Sequence, residues 1–163
     1  MQRILIWLLG LGILVFGVQR IRIALRTPEE SLRVRIQGMA DGFGEGHART
    51  ALKAIHEDYR DEASHVGRGD LFDAMRYLFF TQKHPETHAW NLDVDISEDS
   101  LTIVFAEDGQ SAMVTMNPLF YQTDTAGRHL WWNCRATLEF VLEDGNWWCI
   151  RTTDVNHVDR PRI

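Results

Sequence analysis

The chain has 163 residues, a formal net charge of −6 at pH 7 and two cysteines. That length allows one domain with a real core beside a leader segment. The negative balance argues against nucleic acid as a partner, and two thiols exclude a zinc-binding cysteine cluster and any disulfide framework beyond one bridge.

Residues 4–18 read ILIWLLGLGILVFGV, uncharged, between Arg3 and the pair Arg20 and Arg22. As a helix the run is about 22 Å long, short of a hydrocarbon core of roughly 30 Å. Extension through Ile21, Ile23, Ala24 and Leu25 makes up the length, with the arginines snorkelling to the headgroups. The alternative is a cleaved secretory signal. No small-x-small cleavage site follows, and QRIRIALR over 19–26 is a poor peptidase site, so residues 4–25 are expected to be an uncleaved anchor, in a bacterial inner membrane. Arg20, Arg22, Arg26, Arg33 and Arg35 put the downstream side in the cytoplasm by the positive-inside rule. Many single-anchor bacterial proteins nevertheless export such a domain, so the side stays open. The expected division is an anchor over 1–26, a domain over 27–158 and a tail over 159–163.

Thr27-Pro28-Glu29-Glu30 starts a helix: Thr27 caps, Pro28 suits the first position and Glu30 reaches back. Leu32, Ile36, Met39, Ala40 and Phe43 fall on one face. Gly44-Glu45-Gly46 breaks that helix. A second is expected with Ala48, Ala51, Leu52, Ile55 and Tyr59 on one side, then a polar irregular segment over 58–68. Asp70 is expected to cap a third helix, with Asp73 in its first turn and Leu71, Met75, Leu78 and Phe79 as its buried stripe.

After Pro85 the period becomes 2. Trp90, Leu92, Val94 and Ile96 alternate with polar residues, and Leu101, Ile103 and Phe105 lead into the turn Glu107-Asp108-Gly109-Gln110. A strand from Ser111 to about Tyr121 returns. A polar loop over 123–128 precedes a long strand, 130–142, with Trp132, Cys134, Ala136, Leu138, Phe140 and Leu142 on one face. Asp144-Gly145 turns the chain into a last strand, 147–155.

For this last hairpin a three-residue loop, 144–146, is expected. It pairs Phe140 with Ile150, Leu142 with Trp148 and Glu139 with Arg151. A two-residue loop would set Arg151 on the apolar face, where desolvating an unpaired guanidinium costs more than a bulge. In this register Cys134 points inward and Cys149 outward, too far apart to bridge; two free thiols suit a reducing compartment.

Three helical segments followed by four long antiparallel strands resemble the nuclear transport factor 2-like superfamily over residues 28–156. The features that match are Gly44-Glu45-Gly46-His47-Ala48, the stretch Ile55-His56-Glu57-Asp58-Tyr59-Arg60-Asp61, Gly69-Asp70 and Trp148-x-Ile150 on the last strand. The resemblance implies an α+β, cystatin-like cone, three helices packed in a curved antiparallel sheet, here preceded by one transmembrane helix. It implies no single activity, since the fold hosts isomerases, dehydratases, epoxide hydrolases and members without known chemistry. The ketosteroid isomerase-like branch uses a Tyr on its first helix, and residues 28–44 contain none.

The concave face of such a cone is where a ligand is expected. Tyr59, Trp132, Thr152 and Asp154 are the candidate ligand-binding residues. A carboxylate at 154 on an apolar face would be a general base; past the sheet's edge it would be solvated. His84-Pro-Glu-Thr-His88 has a zinc-like spacing, but Pro85 breaks the helix it needs, so no metal is expected. No Ser elbow, P-loop or dinucleotide fingerprint is present, so no cofactor is expected. The expected function is a membrane-anchored, non-enzymatic domain binding a small apolar ligand or a protein partner. The alternative is a small hydro-lyase or isomerase with Asp154 as base and Tyr59 as hydrogen-bond donor. A partner or second copy would meet the outer sheet face, centred on Trp131 and Trp147.

Overall fold

The computed structural model describes residues 26–159, with side chains as far as Asn156. By its contacts the chain divides into two units, Met1–Val34 and Arg35–Ile163. The membrane helix expected over residues 4–25 lies outside the described residues. Among the described residues no helix is long and apolar enough to cross a membrane.

Helix α1, Pro28–Gly44, begins at the boundary the sequence marks. The Thr27 amide donates to Glu30 Oε2 at 2.9 Å and the Glu30 amide donates to Thr27 Oγ1 at 3.2 Å, a reciprocal cap. Leu32, Ile36, Ala40 and Phe43 are buried. The glycine break follows, with Gly46 at φ +71°, where a side chain is disfavoured.

Helix α2 is one turn, Ala48–Ala51, shorter than expected. Ile55 and Tyr59 lie on strand β1, Ile55–Asp61, which pairs parallel with the last strand of the chain. Between Ile55↔Cys149 and Arg60↔Arg151 that ladder bulges. The bulge buries both Ile55 and Tyr59, four residues apart. A bulged strand therefore carries the spacing of a helical turn, which is why periodicity misassigns it.

Helix α3, Arg68–Thr81, starts before Asp70 rather than at it. Gly67 is the cap residue, and its amide donates to Asp70 Oδ2 at 2.9 Å, so Asp70 holds the cap from inside the first turn.

The sheet has seven strands. After β1 come β2 (Leu92–Asp95), β3 (Thr102–Phe105), β4 (Ser111–Met116), β5 (Leu119–Asp124), β6 (Gly127–Glu143) and β7 (Asn146–Asp159). The expected single strand from Ser111 to Tyr121 is two, because Asn117-Pro118 interrupts it: proline donates nothing to a ladder. Strand β6 is the spine. Its first half pairs with β5 and its second half with β4, while β7 runs along the opposite edge. Along its second half Cys134, Ala136, Leu138 and Phe140 are buried, as their alternation requires.

The β6–β7 hairpin corrects the expected register. Its loop is the two residues Asp144 and Gly145, at φ +49° and +73°, and Glu143 pairs with Asn146. Leu142 then faces Trp147, and Phe140 faces Cys149, so Trp147 and Cys149 are inward and buried. The ladder shifts at Ile150 and still sets Glu139 opposite Arg151. The guanidinium thus avoids the apolar side through a bulge in the strand rather than an added loop residue. Arg151 binds Glu139 through Nε and Nη2, and Glu62 through Nη1 at 2.9 Å.

Neither tryptophan expected at the centre of an outer patch is there. Trp147 is 2% exposed. Trp131 is the unpaired residue in a bulge of the β5–β6 ladder and packs against the cluster of Phe43, Ala51 and Leu92. Among the described residues the large apolar side chains of the sheet that are exposed are Val104, Met113 and Leu130.

Candidate functional site

Of the four expected site residues, the structure brings two together. Tyr59 comes from the bulge of β1 and Thr152 from β7, next to Asp61 across the parallel ladder. Both are buried, and their hydroxyls lie 2.6 Å apart. Burial pushes the Tyr59 phenol up to about 12, against the smaller opposing effect of the Thr152 hydrogen bond. Burial pushes the Cys149 thiol up to about 12 and the Cys134 thiol up to about 11. Both cysteines are free.

Trp132 lies elsewhere. Its ring stacks on Phe120, with centroids 4.8 Å apart, on the half of β6 that pairs with β5. Thr152 pairs with Leu138, which is roughly 20 Å further along the strand. Asp154 is not on the inward face. A second shift in the β6–β7 ladder, after Thr152, sets it opposite Thr137, on the side that carries Arg135 and Glu139. It is exposed and accepts from Asn156 Nδ2 at 2.6 Å. The expected meeting of Asp154 and Tyr59 in one pocket does not occur.

Asp61, Glu62 and His84 are engaged in local structure. Asp61 Oδ1 accepts the amide and hydroxyl of Ser64, and Glu62 binds Arg151. His84 Nδ1 accepts the amides of Glu86 and Thr87, which ties it into the turn before Trp90. Among the described residues no group of three or more His, Cys, Asp or Glu is placed to hold a metal ion.

A cleft of about 1050 Å³ opens on another side, between residues 46–50 and α3. Phe72, Arg76, Tyr77 and Phe80 form its helical wall, Arg49 stands on the facing turn and Lys83 at the end of α3. Tyr77 and Phe80 are 72% and 77% exposed. Sequence reasoning followed only the inner stripe of α3 and missed this face. Its signal is legible afterwards: positions 72, 76 and 80 repeat every four residues and alternate aromatic, cationic, aromatic.

The arrangement of helices and strands has counterparts among solved structures. One is an NTF2-like protein with a cystatin-like fold from Novosphingobium aromaticivorans, 14% identical, with a TM-score of 0.62 over 87% of this chain and 88% of that one. Another is a proposed dehydratase from the NTF2-like family of Streptomyces avermitilis, 11% identical, TM-score 0.60, covering 80% of this chain and 96% of that one. A third is the CamKII hub homology domain of Chlamydomonas reinhardtii, 15% identical, TM-score 0.61, covering 82% and 100%. This chain has the nuclear transport factor 2-like fold. No family model and no curated protein sequence matches it. At these identities the likeness extends to the fold alone, and the nuclear transport factor 2-like scaffold is shared by a proposed dehydratase and a hub domain alike. The side chains of this chain have to carry any functional argument.

Proposed function

We propose that the nuclear transport factor 2-like domain is a non-catalytic binding module, held at a membrane by residues 4–25. One observation carries the reading. The acid–base pair that would make a hydro-lyase or isomerase is split, with the Tyr59 hydroxyl bonded to Thr152 in the interior and Asp154 exposed on the other face of the sheet. A general base has to stand within hydrogen-bond reach of the proton it takes, and these two groups serve no common atom.

The anchor rests on the uncharged run over 4–18 and its flanking arginines. Alkaline carbonate extraction of membranes tests it. The full chain stays in the pellet, and deletion of residues 4–25 releases it; release of the full chain overturns the anchor. The domain lies on the cytoplasmic side. Both native thiols are buried, so labelling needs an introduced one. Glu107→Cys, in the exposed β3–β4 turn, stays unlabelled by an impermeant maleimide in intact cells and is labelled after lysis. Labelling in intact cells places the domain outside.

Self-association is part of the same reading. A hub domain and an association domain are among the structures of similar fold. With Trp147 buried and Trp131 packed against the core, Val104 and Met113, directly opposite each other on β3 and β4, form an exposed apolar pair for a second copy. Sedimentation of the full chain in detergent, with and without Met113→Glu, measures it.

A further inference from the structure

We infer that the cleft between residues 46–50 and the outer face of α3 binds an amphipathic organic anion: a carboxylate, sulfonate or phosphate on an aromatic or aliphatic body. The inference deepens the binding-module reading by naming its site and ligand class. It does not use the interior around Tyr59.

Charge is the first argument. Against a net charge of −6, three cationic side chains, Arg49, Arg76 and Lys83, line one cleft with a single carboxylate, Asp73. Among the described residues no carboxylate pairs with any of the three; the guanidinium of Arg76 lies over the Phe72 ring at 5.7 Å. Arg128 and Arg151, by contrast, are each matched by carboxylates, Arg128 by Asp93 and Arg151 by Glu139 and Glu62. Clustered unmatched cations are complementary to an anion from outside.

The aromatic wall is the second argument. Tyr77 and Phe80 hold their rings out of the core, beside the cations rather than apart from them. A ligand with one charged head and an apolar body satisfies both at once, and an inorganic anion leaves the rings wet. Shape is the third. At about 1050 Å³ the cleft is at the upper end of small-ligand sites.

Calorimetric titration of the full chain in zwitterionic nanodiscs tests this, with empty nanodiscs as blank. The probes are 4-biphenylcarboxylate and laurate, each compared with its neutral alcohol. At least one acid saturates, and its alcohol binds about tenfold more weakly. The double variant Arg76→Gln, Lys83→Gln weakens the acid by at least about tenfold and leaves the alcohol unchanged. Phe80→Ser weakens both. These side chains are at the surface, and unchanged circular dichroism certifies the fold. Equal binding of acid and alcohol overturns the inference, as does saturation by neither acid, or attachment to anionic nanodiscs alone. Saturable binding that ignores the double variant overturns the cleft and leaves the binding-module reading intact.

Discussion

The hydroxyls of Tyr59 and Thr152, 93 positions apart in the chain, meet at 2.6 Å inside the domain. The contact ties the bulged parallel strand β1 to β7 just where Asp61 pairs with Thr152. A buried hydroxyl without a partner costs more than a made hydrogen bond gains, so each group fixes the other's strand. The pair is a register lock between the strand that periodicity misreads as helix and the last strand of the sheet.

Removing one hydroxyl strands the other. Tyr59→Phe and Thr152→Val each lower stability by about 1–3 kcal/mol in urea titrations. The double variant loses less than the sum, by about 1 kcal/mol, because the orphaned group is gone. Strict additivity would show that the two do not interact.

Burial of weak acids makes the domain sensitive to alkali. Tyr59 is pushed from 10.0 to about 12, Cys149 from 9.0 to about 12 and Cys134 from 9.0 to about 11. In the unfolded chain the thiols ionise near 9.0 and the phenol near 10.0, while the folded chain keeps those protons. Above that pH the unfolded state binds fewer protons, so stability falls as pH rises. The contribution is whole below about pH 9 and is lost progressively toward about pH 12. The urea midpoint therefore declines from pH 9 to pH 11, less steeply in Cys149→Ala, and a midpoint flat across that window refutes the account.

The sequence carries this fold to different depths in different places. The Thr27–Glu30 cap, the glycine break and the buried face of β6 are local signals, and the chain obeys them. Strand β1 was hidden because its partner, β7, lies some ninety residues on, and its bulge sets Ile55 and Tyr59 four apart. Arg151 does stay off the apolar face, and Glu139 pairs with it. Where the extra residue goes, to the loop or to the strand, is decided by turn chemistry: Asp-Gly favours two positive φ angles in a two-residue loop. That choice inverted Trp147 and Cys149, and a second shift carried Asp154 to the other face. Each bulge reverses all that alternation infers beyond it, so the candidate site was least legible at the end of β7.

Trp147 gives the sharpest stability contrast. It is 2% exposed and packs against Phe105, with ring centroids 5.7 Å apart. Trp147→Ala costs about 3–5 kcal/mol. Tyr77→Ala, on the open face of α3, stays within about 0.5 kcal/mol. Chemical denaturation of the two variants side by side checks the register of the hairpin, because a Trp147 on the outer face would behave like Tyr77.

The turn itself is open to the same approach. Gly145 sits at φ +73°, and Gly145→Ala costs about 1–2 kcal/mol through the left-handed conformation alone. Asp144, at φ +49°, accepts Asn within about 0.5 kcal/mol, since Asn-Gly favours the same turn. A three-residue loop predicts no such contrast between the two positions.

Two glycines of α1 separate helix propensity from packing. A Cβ at Gly42 would stand 2.5 Å from the Ala51 nitrogen and 2.7 Å from the Thr50 carbonyl carbon, both backbone atoms of α2. Neither has a rotamer to give, so Gly42→Ala forces α2 away and costs about 1–3 kcal/mol despite alanine's better helix propensity. A Cβ at Gly38 meets nothing within 4 Å, and Gly38→Ala stabilises by up to about 1 kcal/mol. The first substitution also moves Ala48, Arg49 and Thr50, which form one wall of the cleft. Gly42→Ala therefore weakens acid binding there as well as lowering the urea midpoint, whereas Gly38→Ala raises the midpoint and leaves binding alone. Equal effects of the two on stability would mean that α1 and α2 do not touch at Gly42.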